Sequence, residues 1–321
     1  FPVGANMPIY GAAYIQDKFS YKDIIFRLGL RVDYYDANTS VLKDPYALYE
    51  IEDASAFYDR TGITQPSSID DNYKVYVDGE ESDGIVGFRS GDQWFLPNGT
   101  STEGNVLFAG KLVYPSYVGK AGTATERILD IKDPLFEYET SFEDYTPQYN
   151  YMPRIAFSFP ISDEAGFFAH YDVTVQRPQS STIATARDYY YFEDNVIGIF
   201  GNPNLKPERT VDYEVGFQQK LTASSALKVS SYYKELRDMI QSRIYPHLPA
   251  PVNSYEGYDN IDFGTVKGFS FSYDYRRTGN LEFQVAYTLQ FANGTGSNAN
   301  SSRGINNRGN LRYLIPLSYD E

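Results

Sequence analysis

Strict apolar–polar alternation runs through several long segments. In 25–35, Phe26, Leu28, Leu30, Val32 and Tyr34 share one face, and Arg27, Gly29, Arg31 and Asp33 share the other. The same period recurs in 165–176, 210–221, 268–276 and 281–291, where Phe269, Phe271, Tyr273 and Tyr275 oppose Ser270, Ser272, Asp274 and Arg276. A period of two with aromatic and β-branched residues predicts strands. The rough set is 9–19, 24–35, 105–115, 151–161, 166–176, 208–221, 226–237, 262–276, 281–292 and 307–316.

Strand length and face chemistry decide between architectures. Strands of soluble sandwiches average about 5–6 residues, and these segments are roughly twice that. One face is continuously apolar and aromatic, while the other carries full charges in mid-strand, which suits lipid outside and a wet lumen inside. Backbone groups left unpaired in lipid cost several kcal/mol each, so such a sheet has to close. The fold class expected is therefore all-β, a transmembrane antiparallel β-barrel segment of about ten long strands.

The connections fall into two kinds. Short hairpin turns are expected at 20–23, 162–166, 222–225 and 278–280. Between them lie a long insertion at 36–150 and loops at 177–207 and 241–260, which this asymmetry places on the extracellular side. The insertion is too long for bare loop. A helix within 45–60 and a strand pair near 105–117 are expected in it. Phe1 is not followed by a signal-peptide pattern, and Glu321 comes just after a strand, so the chain reads as an excerpt of a larger barrel.

Composition narrows the function classes. Lys plus Arg is 28 against 42 Asp plus Glu, a formal charge of −14 that argues against a nucleic-acid partner. With Cys 0, disulfides and Cys-ligated metals are excluded. Tyr 31 and Phe 21 fit aromatic girdles at the two membrane interfaces. His170 and His247 are the only histidines, and no HExxH, G-x-S-x-G or phosphate loop occurs, so no enzyme or resident cofactor is expected. Acidic clusters at 50–53, 70–71 and 78–83 offer oxygen ligands for loop-bound calcium but lack its twelve-position pattern, and a solvated face is the default reading.

Several motifs then carry a resemblance. Gly201-Asn202-Pro203-Asn204-Leu205-Lys206-Pro207-Glu208 opening onto Thr210-Val211-Asp212-Tyr213 resembles the signature of TonB-dependent outer-membrane receptors. Tyr14-Ile15-Gln16-Asp17-Lys18-Phe19 with Leu28-Gly29-Leu30-Arg31-Val32-Asp33-Tyr34, and Met152-Pro153-Arg154, resemble further family strands. So do Tyr232-Tyr233-Lys234-Glu235-Leu236-Arg237-Asp238-Met239-Ile240 and Asn260-Ile261-Asp262-Phe263-Gly264-Thr265-Val266-Lys267-Gly268. The spelling is most similar to receptors of Bacteroidota. The resemblance implies a 22-stranded barrel in the bacterial outer membrane, of which this chain is an internal part. It also implies a plug domain and a TonB box, both absent from this chain. The implied activity is active import, with TonB as partner. A non-transporting scaffold, or a barrel that works with a surface lipoprotein, is the alternative, and a soluble carbohydrate-binding module is a third.

Three sets of residues are candidates for function. Tyr189, Tyr190, Tyr191 and Phe192, with Trp94 as a second place, are either packing residues or a stacking surface for a small solute, glycan, peptide or metal chelate. Arg27, Arg31, Asp33, Asp212, Glu214, Asp274 and Arg276 share the lumen or plug-facing side, where they can pair across strands. Asn202, Pro203, Asn204, Leu205, Pro207 and Glu208 read as a structural loop-to-strand corner, because Pro ends helices and Asn favours turns.

Overall fold

The computed structural model describes residues 7–120, 126–179, 186–194, 198–301 and 314–317. Strands β1 (Ile9–Tyr21) and β2 (Ile24–Asp36) form the first hairpin. The insertion follows with β3 (Ser40–Leu42), α1 (Ala54–Thr61), β4 (Lys74–Val77), β5 (Ile85–Ser90), β6 (Gln93–Phe95) and β7 (Ser101–Thr102). It ends with α2 (Gly104–Phe108), β8 (Tyr114–Pro115), α3 (Tyr138–Ser141) and β9 (Phe142–Asp144). Long strands resume as β10 (Gln148–Pro160) and β11 (Ala165–Gln176), followed by α4 (Ala186–Tyr190) and β12 (Ile199–Phe200). The rest is β13 (Glu208–Thr222), β14 (Ser225–Pro246), β15 (Ser254–Thr278), β16 (Leu281–Gly294) and β17 (Ile315–Pro316).

Among the described residues the long strands make one sheet in the order β1-β2-β10-β11-β13-β14-β15-β16-β17, with β12 paired to the upper part of β15. The turns fall at the expected places. Lys22 and Gly279 take positive φ, 54° and 68°, in two of them, as tight hairpins require.

The two faces differ as the alternation predicts. Leu28, Tyr213, Phe269 and Phe283 are between 40% and 45% exposed, so they do not fill the dry centre of a sandwich. Rings on this outer face meet their neighbours across strands: Phe19–Phe26 at 5.2 Å, Phe26–Phe157 at 6.5 Å and Phe157–Phe167 at 6.0 Å. Such cross-strand pairs contribute roughly 0.2–1 kcal/mol each. Phe26 to Tyr34 covers about 26 Å along β2, close to the ~25 Å apolar band of an outer-membrane barrel. On β14 the band ends past Tyr233, where Glu235 and Arg237 pair at 2.7 Å on the same face.

The opposite face carries ionic rows in register. Arg154, Asp172, Asp212 and Lys234 lie side by side on β10, β11, β13 and β14. Arg154 pairs with Asp172 at 2.7 Å and Lys234 with Asp212 at 3.1 Å. One step along, Tyr232 lies across Gly268 and donates its hydroxyl to Gln290 at 2.6 Å. A Cβ on Gly268 would stand 2.4 Å from that ring. Gly268→Ala is therefore expected to displace Tyr232 and cost about 1–3 kcal/mol of overpacking, read as a lower thermal midpoint of the protein in detergent.

The insertion is a folded unit. Its ends meet in the β3–β9 pair, and β7-β6-β5-β4-β8 form a five-stranded antiparallel sheet. Helix α1 packs Ala54, Phe57 and Tyr58 against Val75, Val77 and Phe88 and stops at Gly62, whose φ is 70°. Glu52 is buried and receives two 2.8 Å bonds from Arg60 and one of 2.6 Å from Ser116. Asp83 pairs with Arg60 at 3.0 Å, so carboxylates of two acidic clusters are spent on ion pairs inside the unit.

The sequence expectations need three corrections here. Residues 105–115 are not one strand: the apolar run Val106-Leu107-Phe108 turns as α2 with Leu107 inward, the chain leaves the helix through Ala109 and Gly110 (φ 65°), and only Tyr114–Pro115 are strand, as β8. The helix expected within 45–60 starts only at Ala54, because Tyr46–Tyr49 and Ile51 are buried as core. The segment 241–260 is mostly strand, with β14 reaching Pro246 and β15 starting at Ser254. The strand expected at 307–316 lies outside the described residues except Leu314, Ile315 and Pro316, of which the last two form β17.

Candidate functional site

The extended β14–β15 hairpin is the post on which the loop end is assembled. A core of Tyr46, Tyr49, Tyr76, Trp94, Phe142 and Tyr245 joins the inserted unit to it. Two arginines clamp Tyr46. Arg89, buried, pairs with Asp44, donates to the Tyr76 hydroxyl at 3.0 Å and lies 4.5 Å over the Tyr46 ring. Arg243, from the hairpin, reaches Asp92 of the β5–β6 turn at 2.8 Å and Asp259 of β15 at 3.2 Å. Tyr46 donates its hydroxyl to Asp92 at 3.0 Å. Burial works to raise the Asp92 carboxyl, but the hydrogen bond and charge of Arg243 outweigh it and hold it below its ordinary range. Burial pushes the Tyr76 phenol up to about 12.

Beside this clamp, His247 stacks on Phe108 (4.3 Å, 15°) and meets Trp94 edge-on at 6.0 Å. Burial holds its imidazole below the ordinary value of 6.5. The undocked hairpin would therefore bind more protons near that pH. Docking is fully present above pH 6.5 and weakens as pH falls from there toward the docked value. Proteolysis of the inserted unit is expected to be faster at pH 5.5 than at pH 7.5, and His247→Phe is expected to flatten that difference.

The loop aromatics are brought together, though mostly as packing. Tyr189, Phe192 and Trp94 are only 5%, 3% and 4% exposed. Tyr189 packs on Phe142 and Phe200, and Phe192 on Phe200 and Tyr255. A buried ring has no face to offer a solute, so the packing reading fits these three. Tyr190 is half-buried, and Tyr191 is exposed.

The 201–208 corner crosses to the neighbouring hairpin, where Asn260 pins it. The Asn260 side chain accepts from the Lys206 N–H at 2.6 Å and donates to the Lys206 and Asp238 carbonyls at 2.8 and 2.7 Å. Asn202 donates to the Tyr258 carbonyl at 3.0 Å and accepts from the Asn204 N–H at 2.9 Å. Glu208 accepts from the Ile240 N–H, where two register shifts bulge β14. Pro203, Leu205 and Pro207 are buried. The two family-like motifs are thus halves of one joint.

On the polar face, Arg31 pairs with Asp33 at 2.7 Å, and Tyr10 bonds the same carboxylate at 2.8 Å. Glu214 lies 3.6 Å from His170. Asp274 accepts from Ser272 at 3.3 Å, and with Arg276 it lines a hollow of about 500 Å³ at the turn end. Arg27 makes no ion pair among the described residues. No cluster of three His, Asp or Glu side chains among them is arranged to hold a metal ion.

Sequence reasoning placed Arg89 and Asp92 beside Trp94 but missed Arg243, Asp259 and Tyr46. Past the bulge at Leu236–Ile240 only a weak signal remains, Gln241, Arg243 and Tyr245 alternating with Ser242 and Ile244 in a frame that the bulge separates from the strand before it.

A family model described as TonB dependent receptor-like, beta-barrel, matches residues 5–316. Among solved structures, the chain is similar to the FrpB iron transporter from Neisseria meningitidis, at 11% identity and TM-score 0.38, covering 89% of this chain and 25% of that one. It is similar to the outer membrane transporter YddB from Escherichia coli at 11% identity and TM-score 0.43, covering 97% and 38%. It is also similar to the Serratia marcescens hemophore receptor HasR, solved with its hemophore HasA and heme, at 13% identity and TM-score 0.39, covering 89% and 41%. The chain thus spans about a quarter to two-fifths of those three. Because the family match takes in nearly the whole chain, this is a non-enzymatic outer-membrane β-barrel chain that belongs to the TonB-dependent receptor family.

Proposed function

We propose that the chain is an internal part of a 22-stranded barrel of Bacteroidota type that imports a solute, with TonB supplying work through a plug and TonB box carried elsewhere in the receptor. The single observation that carries this reading is the division of the long strands. One face shows exposed rings in rows, and the other carries paired charges such as Arg154–Asp172 and Lys234–Asp212. Lipid suits the first and a wet, plugged lumen the second. On this reading the ionic rows, with Arg27, Arg31, Asp33, Asp212, Glu214, Asp274 and Arg276, meet the plug or the lumen water. The insertion and the β14–β15 tip stand outside the cell, and Tyr190 and Tyr191 remain the accessible loop rings for solute.

The test is native mass spectrometry and TonB cross-linking of the full-length receptor drawn from outer membranes. A plug, a TonB box and a TonB cross-link are expected. A full-length chain with neither plug nor TonB box would defeat active import. A second reading, a platform for a surface lipoprotein, draws on three exposed apolar side chains of the insertion, Val106 at 57%, Leu112 at 70% and Leu135 at 75%. Co-purification of such a lipoprotein that is lost when these three become Ser would favour it.

A further inference from the structure

A cleft of about 320 Å³ opens between the root of the insertion and the 201–208 corner. That is the small end of the ~300–1,000 Å³ range of small-ligand sites. Lys206 and Asn204 line it from the corner, Glu143 from β9, Lys43 from the root, and Tyr255 and Phe200 from below. All four polar residues are exposed. The Lys206 ammonium, the Glu143 carboxylate and the Asn204 amide make no hydrogen bond to another described residue. Lys43 spends one donor on the Glu139 carbonyl at 2.8 Å. The cleft thus presents an unspent cation, an unspent anion and an unspent amide above an aromatic floor.

We propose that this cleft binds a short zwitterionic peptide, its carboxylate on Lys206 and Lys43, its ammonium on Glu143, and an apolar side chain on Phe200 and Tyr255. The assignment rests on the import reading for its purpose, since it names the solute class. Two rival classes fit less well. A neutral sugar would leave the opposite charges of Lys206 and Glu143 without ionic partners, and rings that pack on one another give an apolar side chain an edge to lie on but a sugar no open face to stack on. Tyr245 and Tyr255 stack at 4.9 Å and 14°, and Tyr189 and Phe192 stand edge-on to Phe200. An anionic metal chelate would meet Glu143 and Asp259 as well as the lysines. A peptide with free ends uses both charges, and Asn204 can bond its amide.

The test is calorimetric titration of the full-length receptor in detergent with trialanine, trileucine and triphenylalanine. Controls are N-acetyl-trileucine amide, maltotriose and a ferric tris-catecholate. At least one free tripeptide is expected to bind, and capping both ends is expected to weaken binding about tenfold or more. Lys206→Ala and Glu143→Gln are each expected to weaken it about tenfold with the thermal midpoint unchanged. No binding by any of the three, equal binding of the capped peptide, preference for maltotriose or the chelate, or indifference to both substitutions would overturn the site. Uptake assays separate the two readings. TonB-dependent uptake that survives Lys206→Ala would overturn the site and leave import standing, whereas peptide binding without TonB-dependent uptake would defeat import and leave the site.

Discussion

Arg243→Ala is expected to release the inserted unit from the β14–β15 hairpin while the barrel strands stay intact. The guanidinium is 8% exposed and holds two carboxylates that come from different parts of the chain, Asp92 in the insertion and Asp259 in β15. Without it those two carboxylates keep their bonds from the Tyr46 and Tyr245 hydroxyls and the Asn260 N–H but lose the cation they share. Breaking a buried pair by removing one partner costs about 3–5 kcal/mol. Because Asp92 is 57% exposed, water can recover part of this, and the lower end of that range is expected. The guanidinium also lies 4.6 Å over the Tyr245 ring, a contact a lysine would keep only as a point charge. The measurement is hydrogen exchange on the full-length receptor. Faster exchange across 43–118 and 241–259 with unchanged protection in β2, β10 and β13 is expected. The double variant with Asp92→Asn, which removes one of the stranded charges, is expected to recover part of the protection. Unchanged exchange in Arg243→Ala would show that the aromatic core alone holds the unit.

How much of this was legible in the sequence follows from the range of the forces involved. Strand β13 was expected at 208–221 and is Glu208–Thr222, because lipid on one side and water on the other write a period of two that each residue obeys on its own. The continuation of β14 was hidden because two register shifts between Leu236 and Ile240 break that period, with Asp238 at φ 54°. Arg243 was hidden along with it. The burial of Tyr189 and Phe192 was not legible for another reason. Their partners Phe142, Phe200 and Tyr255 lie on separate elements, and no local pattern reports a contact made by tertiary packing. The 201–208 corner was recognisable as a motif. Only the structure supplies its cause, since Asn260 spends its amide on bonds to Lys206 and Asp238.

Residues 1–321 expressed alone are expected not to give a folded, heat-modifiable barrel in detergent. Among the described residues β1 has one neighbour, β2, and its 13 residues are exposed throughout. At the other side the last described pairing is that of β16 with β17, at Asn293 and Gly294 among the described residues, so the sheet has its second edge there. Along an edge strand every second residue turns its N–H and C=O outward. Each such group held in an apolar medium costs several kcal/mol, so two open edges outweigh the whole stability of about 5–15 kcal/mol typical of a domain. The fragment can relieve this by aggregating edge to edge, by curling until β1 meets β16, or by leaving the sheet unformed. Curling is opposed by geometry. A barrel's diameter grows with strand number, and tilt and stagger are linked to that number, so on the proposed 22-stranded reading the ten-stranded sheet is tilted for a wider barrel and does not close on itself. Aggregation or a monomer without heat-dependent gel mobility is therefore the expected result. Adding the remaining strands of the receptor as a second polypeptide is expected to restore the shift, because it supplies partners to both edges at once. A stable, monomeric, heat-modifiable species from 1–321 alone would show that this sheet closes by itself, and the reading as part of a 22-stranded barrel would then be withdrawn.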